Sequence, residues 1–436
     1  MASETSVSEL ARLIQEKTQL IENGGQPGDN FSLAFHGKPA MAQLPPELET
    51  ARNEAIEAMD ELRARLLQPF AYAASVFLPV APITVICHSL YTFGITSHVP
   101  LTPDQAITYE ELAKKCGMPF DDLRRVVQTA ISYRIFEEVE TDVSVKHNAV
   151  SAMFAALPGA RDILGLFAEE QMLGAGSFIE SLKRFPSSGE PGHSAAMITE
   201  RNKRGLSHDN IKDPSKGLFD LVADDEPRVT RYRNAMGMST RAPGYSVSYF
   251  LDTVPWHDPQ SCPKTIVDIG GAGGDFLKAI LLKFPVEKAT VLDLPEVVAT
   301  AETPKELEGR LEFCAYNFLT QPVSHEADAY VFRHIFHDWS DDYAVKIVKN
   351  MVPRMKNGSR IWISEVVVPD LGDKSHVADQ RKRGADILMK IAYNGKERSR
   401  RGWTDVFERA DKRFRIASIV QPKGAQDAVI EVVFEA

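Results

Sequence analysis

Val267-Asp268-Ile269-Gly270-Gly271-Ala272-Gly273-Gly274-Asp275-Phe276, followed by Ala289-Thr290-Val291-Leu292-Asp293-Leu294-Pro295, is the stretch that decides the fold. It reads as a short buried strand, a glycine-rich turn, an amphipathic helix and a second strand ending in an acid. Glycines let the backbone turn tightly and come close to a ligand. The acid 19 residues beyond Gly274 suits the two hydroxyls of a ribose. A nucleoside-type cofactor at the carboxyl ends of parallel strands is the expectation.

The turn also discriminates between cofactors. A dinucleotide site wants G-x-G-x-x-G, but counting from Gly271 the sixth position is Phe276. A P-loop wants Gly-Lys-Ser/Thr, which is missing. Asp268 opens the loop; an acid there repels a pyrophosphate but accepts a hydrogen bond from an ammonium group. S-adenosylmethionine brings a ribose, an adenine and an ammonium, and no phosphate. The alternative, a glycine-rich turn in an ordinary α/β domain, leaves the spaced Asp293 unexplained.

The 436 residues predict two or three domains, and 44% hydrophobic with 25% charged residues is a globular composition. A net charge of −10 argues against a phosphate-binding surface. Cys87, Cys116, Cys262 and Cys314 show no C-x-x-C and no zinc spacing, so free thiols in a reducing, cytoplasmic setting are expected. Met1–Glu16 carries early acids and does not read as a secretory signal.

Residues 1–65 look helical at both ends, with a loop over Asn23–Asn30. From Pro69 to Pro103 there is no Lys, Arg, Asp or Glu. That stretch is long enough to span a bilayer. Pro79, Pro82 and His88 interrupt it, so two broken core helices or a hydrophobic partner interface are expected rather than a membrane span. Ile107–Phe136 reads as helix-turn-helix with a glycine C-cap at Gly117, and Phe136–Lys146 as a small β-wing, together a winged-helix pattern. Glu137, Glu138, Glu140 and Asp142 beside it would repel phosphates, so a structural or dimerising module is expected, not a nucleic-acid reader. Residues 200–227 look like an exposed insertion. From Trp256 onward strands near 265–269, 289–293, 311–314, 328–332, 359–365, 414–420 and 428–434 alternate with helices, the pattern of a doubly wound α/β sheet.

The chemistry is expected at the carboxyl ends of these strands. One strand runs into Arg333-His334-Ile335-Phe336-His337-Asp338-Trp339-Ser340, with Ser340 a good N-cap for the next helix. The following strand ends in Glu365, and Asn394-Gly395-Lys396-Glu397-Arg398 supplies a further acid. One histidine with two carboxylates can be a base held in orientation. A metal site is the weaker reading, because the set has one usual soft ligand and no helical two-ligand spacing. A structural histidine in a polar network stays open.

Asp268-Ile269-Gly270-Gly271, Asp293-Leu294-Pro295, His337-Asp338-Trp339-Ser340-Asp341, Glu365 and Gly395-Lys396-Glu397-Arg398, in this order, resemble the plant and fungal O-methyltransferase family, over about residues 100–436. The fungal secondary-metabolite members are the most similar. The resemblance implies a class I methyltransferase, Rossmann-like α/β domain preceded by an all-α, winged-helix dimerisation domain, in a homodimer. The boundaries expected are 1–160 for the dimerisation domain, 161–255 for a helical, substrate-lining linker and 256–436 for the catalytic domain. It implies S-adenosylmethionine as cofactor and a phenolic or enolic hydroxyl as acceptor. By position, His337 resembles the general base, with Glu365 and Glu397 flanking it. Asp268, Gly270, Gly271, Asp293, Leu294, Asn317, Phe318 and Arg333 fall in the cofactor site, and Met236, Asp338, Met389 and Asn394 in substrate-lining regions; no metal is implied.

Two departures matter. Asn317 stands where the family has an acid, though its amide oxygen can accept from an adenine amino group. Ala272 replaces a loop glycine, which is tolerable at negative φ. Some fungal proteins of the family bind the cofactor without donating its methyl and promote dehydration or pericyclic ring closure. The presence of His337, Glu365 and Glu397 together favours methyl transfer.

Overall fold

The computed structural model describes residues 5–24, 44–103, 105–208, 211–242, 244–256, 258, 262–370 and 375–436. Beyond Gly24, the loop read over Asn23–Asn30 lies outside them. The chain divides into two compact units, Met1–Gly176 with Phe219–Pro243, and Ser177–Leu218 with Gly244–Ala436. Residues 161–255, read as one linker, are thus shared between the units.

The second unit is built on seven strands: β1 Thr265–Ile269, β2 Lys288–Asp293, β3 Leu311–Ala315, β4 Ala329–Arg333, β5 Arg360–Glu365, β6 Phe414–Val420 and β7 Ala428–Phe434. Their order across the sheet is β6-β7-β5-β4-β1-β2-β3. All neighbours are parallel except β7, which pairs antiparallel with both β5 and β6. This is a class I methyltransferase fold.

The strands are apolar on both faces, as a sheet covered twice requires. Period-2 alternation sends Tyr330, Phe332, Ile361 and Ile363 to one face, packed with Ile347, Val348, Trp403 and Phe407 from the Asp341–Met351 and Arg400–Ala410 helices. Ala329, Val331 and Trp362 go to the other, against Leu277, Ile280 and Leu281 of the Asp275–Lys283 helix. Each such large side chain contributes roughly 1.5–3 kcal/mol on burial. The order reverses at β1/β4, so the turns after these strands open the crevice where ligands bind.

Residues 200–227 are only partly irregular. The Ala195–Lys203 and Leu218–Ala223 helices frame them, and Gly192 donates its N–H to the Pro214 carbonyl at 2.8 Å. Carbonyls of Pro214 and Lys216 stand where a Gly192 side chain would go, so backbone packs on backbone there.

In the first unit, Ile107–Thr108, Ser144–Lys146 and Glu137–Glu140 form a small antiparallel sheet beside the Tyr109–Cys116 and Phe120–Ser132 helices. Gly117 caps the first of these helices at φ 66°. The charge-free segment forms the end of the Pro46–Phe77 helix and the Val80–Thr92 helix. The first bends at Gln68 (φ 57°), because Pro69 has no N–H to give and disfavours helical geometry before it. The expectation of core helices needs correction. Ile86 and Leu90 are buried, but Phe70 is 89% exposed, Phe77 72% and Leu78 73%. By length and composition Glu47–Thr92 is long and apolar enough to cross a membrane, and only 6% of its most apolar window is buried within this chain.

Candidate active site

The turn after β1 is shaped for close approach. Gly270 and Gly274 adopt φ of 74° and 75°, which L side chains rarely do. A side chain on Gly270 would strike Ile335, and one on Gly271 would meet the Asp268 carboxylate. Ala272 also has positive φ, 48°, so the negative φ that would make the replacement tolerable is not what it adopts. Its N–H donates to Asp293 Oδ2 at 2.8 Å, and that bond holds the unfavourable conformation. Asp293 Oδ1 accepts from its neighbour Leu294 N–H at 2.7 Å, while the Leu294 side chain is exposed. Asp293 is therefore fixed by two backbone amides at the end of β2, and each oxygen keeps a lone pair for a ligand hydroxyl.

Asp268 is 1% exposed, and its Oδ2 has no hydrogen-bond partner. Burial, reinforced by the charge of Asp293, pushes its carboxyl up to about 7. A buried orphan acceptor is costly and calls for a donor from a ligand. These residues fit a molecule that brings an ammonium and a ribose.

Asn317 and Phe318 follow β3. Asn317 Oδ1 already accepts from Leu319 N–H at 2.9 Å, closing a local turn, and retains one lone pair. The Phe318 ring meets Trp339 edge-on at 5.8 Å and lies toward Gly270. Arg333 ends β4, stacks over Phe276 at 5.4 Å and donates to the Tyr245 carbonyl at 2.5 Å.

The turn after β4 carries His337. Its Nδ1 lies 3.1 Å from Glu397 Oε1 and 3.7 Å from Glu365 Oε2, and its Nε2 lies 3.6 Å from Asp338 Oδ1. Glu365 is fully buried; its Oε1 accepts from Ile335 and Phe336 N–H at 2.8 and 2.7 Å. Glu365 Oε2 and Glu397 Oε2 have no hydrogen-bond partner. Burial works against a charged imidazole, but Glu365, Asp338 and Glu397 outweigh it and hold His337 well above its ordinary range. Burial likewise raises Glu365, and raises Asp338 to about 7. Such groups titrate as a unit. His337, Glu365 and Glu397 offer atoms within 4.8 Å of one another. With Glu365 Oε1 committed to two amides and Nδ1 facing Glu397, we read this set as a proton-holding cluster.

The other sequence-derived positions are distributed. Asn394 caps the His376–Tyr393 helix at φ 60°, and its Nδ2 donates to the Ser188 and Glu190 carbonyls at 2.9 and 2.8 Å. Its amide thus ties down the 188–190 loop, which leaves it no free donor for a substrate. Met389 is half-buried on the same helix. Met236 is half-buried on the Glu226–Ser239 helix of the first unit. Ser340 stands at the N-cap position but makes no capping bond, because its buried Oγ is turned against Gly189.

Two features escaped the sequence. His334 adopts φ 53°, pairs through Nε2 with buried Asp427 at 2.6 Å and stacks on His337 at 5.7 Å. Arg398 is buried among backbone carbonyls of the His337 turn. Partners 57 to 93 residues away leave no local sequence signal.

Comparison with known proteins bears directly on this arrangement. Residues 215–412 match the O-methyltransferase domain family model. O-methyltransferase kk1A of Curvularia clavata is 30% identical over 434 residues, covering 98% of this chain and 97% of that one. Among solved structures, OxaC in complex with S-adenosylhomocysteine and oxaline superposes with a TM-score of 0.73 at 19% identity, over 98% of this chain and 99% of that one. A protein described as a pericyclic reaction enzyme superposes with a TM-score of 0.71 at 20% identity, over 99% of this chain and 100% of that one. The chain is a member of the fungal secondary-metabolite O-methyltransferase family, with S-adenosylmethionine as its cofactor.

Proposed function

We propose that the acceptor is a phenolic or enolic hydroxyl of a secondary metabolite and that His337 is the general base that deprotonates it. The observation that carries this reading is His337 Nδ1 at 3.1 Å from Glu397, with Glu365 behind. That contact orients the ring, assigns the Nδ1 proton and leaves Nε2 to take a proton from the acceptor. When bound, S-adenosylmethionine supplies an electrophilic methyl on a sulfonium. Asp268, the Gly270–Gly271 backbone and Asp293 hold it, with Phe318 and Asn317 toward the adenine. A phenol has pKa near ~10 and an ordinary histidine near ~6.5, so proton transfer in advance of attack is uphill in water. The surrounding carboxylates raise His337 and thereby reduce that gap.

The same elevation sets a pH dependence. At neutral pH the imidazole of the free enzyme already carries the acid proton, and only the deprotonated fraction can act as base. kcat/KM should therefore rise with pH through the raised His337 pKa. Glu397→Gln, with one carboxylate fewer, should move that limb to lower pH.

A second reading rests on the same elevated imidazolium, which is well suited to donate a hydrogen bond to a carbonyl and promote a pericyclic closure. Its pH dependence has the opposite sign, because raising pH removes the donor. Mass spectrometry with a panel of phenols, enols and 2-pyridones decides between them. S-adenosylhomocysteine formed together with a product one methyl heavier supports transfer; a rearranged product without it overturns transfer in favour of cyclisation.

The assembly we propose is a homodimer formed by the first unit, its small sheet and helix pair serving as a dimerising winged helix. Phe70, Phe77, Leu78, Val80 and Val85 are all exposed on the charge-free segment, a run of apolar surface that favours a covering partner. Light scattering at micromolar concentration should give twice the chain mass, and Phe77→Glu with Leu78→Glu should give a monomer. A wild-type monomer in detergent-free buffer would defeat the assignment, and partition into vesicles would mark the face as a membrane surface instead.

A further inference from the structure

The turn that carries His337 is held by a residue the reaction itself does not touch. Arg398 is 1% exposed, and its guanidinium is spent on that turn. Nη1 donates to the Phe336 carbonyl at 2.7 Å and the Lys396 carbonyl at 3.2 Å, and Nη2 donates to the Trp339 carbonyl at 2.7 Å. Nε donates to Asp341 Oδ1 at 2.9 Å, at the start of the following helix, and the guanidinium lies over Trp403 at 5.5 Å. The carbonyls of Phe336 and Trp339 stand immediately before and after His337–Asp338. Lys396 N–H donates to the His337 carbonyl itself at 2.8 Å. Gly395 packs so tightly on the His337 carbonyl and the Asp338 backbone that a side chain there would clash. Glu397, between these two donors, reaches the imidazole.

We propose that Arg398 is a positioning residue for His337: it locks the base-bearing turn to the segment carrying Glu397 and supplies the fixed cation that balances the carboxylates around the imidazole. The geometric half follows from the planar fork, which presents its donors in one rigid array that a lysine cannot reproduce. The electrostatic half follows from a count of charges. Facing His337 are Glu365 from β5, Asp338 on its own turn, Glu397 beside Arg398, and His334 stacked on the ring. Asp386, from the His376–Tyr393 helix, accepts the Glu397 N–H at 2.9 Å, and Asp341 is shared by Arg398 and Lys396. Arg398 is the buried cation of this group and cannot titrate near neutrality, and it acts on Glu365 and Glu397 as well as on Asp341, whereas Lys396 is half-exposed. Without it the carboxylates would act on the imidazole with less opposition and hold its proton more tightly.

The inference rests on His337 acting as base, so its test reads His337 directly as well as turnover. Histidine carbon–proton NMR spectra of labelled full-length protein give the His337 titration midpoint, assigned by its loss in His337→Gln. Arg398→Gln should raise that midpoint and lower kcat by roughly tenfold or more, the scale of a charge-assisted hydrogen bond, with cofactor Kd unchanged. Arg398→Lys keeps the charge and loses the fork; it should leave the midpoint near wild type and still lower kcat. Equal midpoints in folded Arg398→Gln and wild type would overturn the electrostatic role. Wild-type kcat in Arg398→Lys would overturn the geometric one, and this variant carries the test if Arg398→Gln does not fold. If wild type forms no S-adenosylhomocysteine with any acceptor, the methyl-transfer reading fails while the NMR midpoints still judge Arg398.

Discussion

The turns after β1 and β4 lie at the same end of one sheet and are built on opposite principles. The β1 turn, Gly270–Gly274, is made of backbone: positive φ, missing side chains and an acid 19 residues on, anchored by the turn's Ala272 amide and by that of its own neighbour, Leu294. The β4 turn, His334–Ser340, is made of side chains from elsewhere: Glu365 from 28 residues beyond His337, Glu397 from 60, and Arg398 threaded behind. The first shapes a space for a fixed ligand. The second gathers buried charge around the imidazole that we propose as the base. A cofactor site needs shape and a few polar anchors, whereas a proton-transfer site needs perturbed groups, and perturbation requires burial against distant partners.

The sharpest break between the two turns should come at His337. His337→Ala should lose about two to four orders of magnitude in turnover while cofactor affinity stays near wild type, the usual loss for a general base. Stopped-flow or steady-state rates beside calorimetric titration would show it, and a matching loss of affinity would mean that the turns do not divide the work.

Asp268 offers the next largest effect, in cofactor-free protein. Burial raises its folded carboxyl to about 7, whereas the unfolded chain ionises near ~3.9. Between those values the folded state keeps a proton that the unfolded state has released. The contribution of this group to stability is therefore greatest below the unfolded pKa and falls as pH rises toward the folded one. The span is on the order of 4 kcal/mol. Urea unfolding should show that slope in wild type and lack it in Asp268→Asn, and identical slopes would place the orphan oxygen in contact with solvent.

Asp293→Ala should weaken cofactor binding by roughly tenfold to a hundredfold, the loss of one or two charge-assisted hydrogen bonds, and leave turnover at saturating cofactor nearly intact. Unchanged affinity in a folded variant would remove Asp293 from the site. The smallest effect is expected at Ala272. Relieving its positive φ with Ala272→Gly should stabilise the protein by about 1 kcal/mol, measured as a shift in Tm, with no change in rate.

The seven strands of the sheet were legible because a doubly covered sheet writes itself as repeated apolar runs. The glycine turn and Asp293 were legible because their spacing is local. Two local rules misled. Ser340 occupies an N-cap position, yet packing against Gly189 turns its hydroxyl away from the helix. Ala272 in place of a loop glycine is tolerable at negative φ, yet the residue has positive φ and its N–H is bonded to Asp293.

By itself, then, the sequence determined the α/β class, the strand order's ingredients, the glycine-shaped turn and the identity of the histidine and acids. Tertiary structure alone decided that Glu397 and Glu365 meet one nitrogen of His337, that Arg398 spends its guanidinium on that turn, and that the Asn394 amide holds the 188–190 loop. It also decided that Phe70, Phe77 and Leu78 of the charge-free segment are left uncovered by the rest of this chain. The physical reason is range. Backbone conformation and hydrophobic period act over a few residues and are written locally. The burial, charge pairing and close approach that set a pKa or orient a ring depend on groups tens of residues apart that only the folded chain brings together.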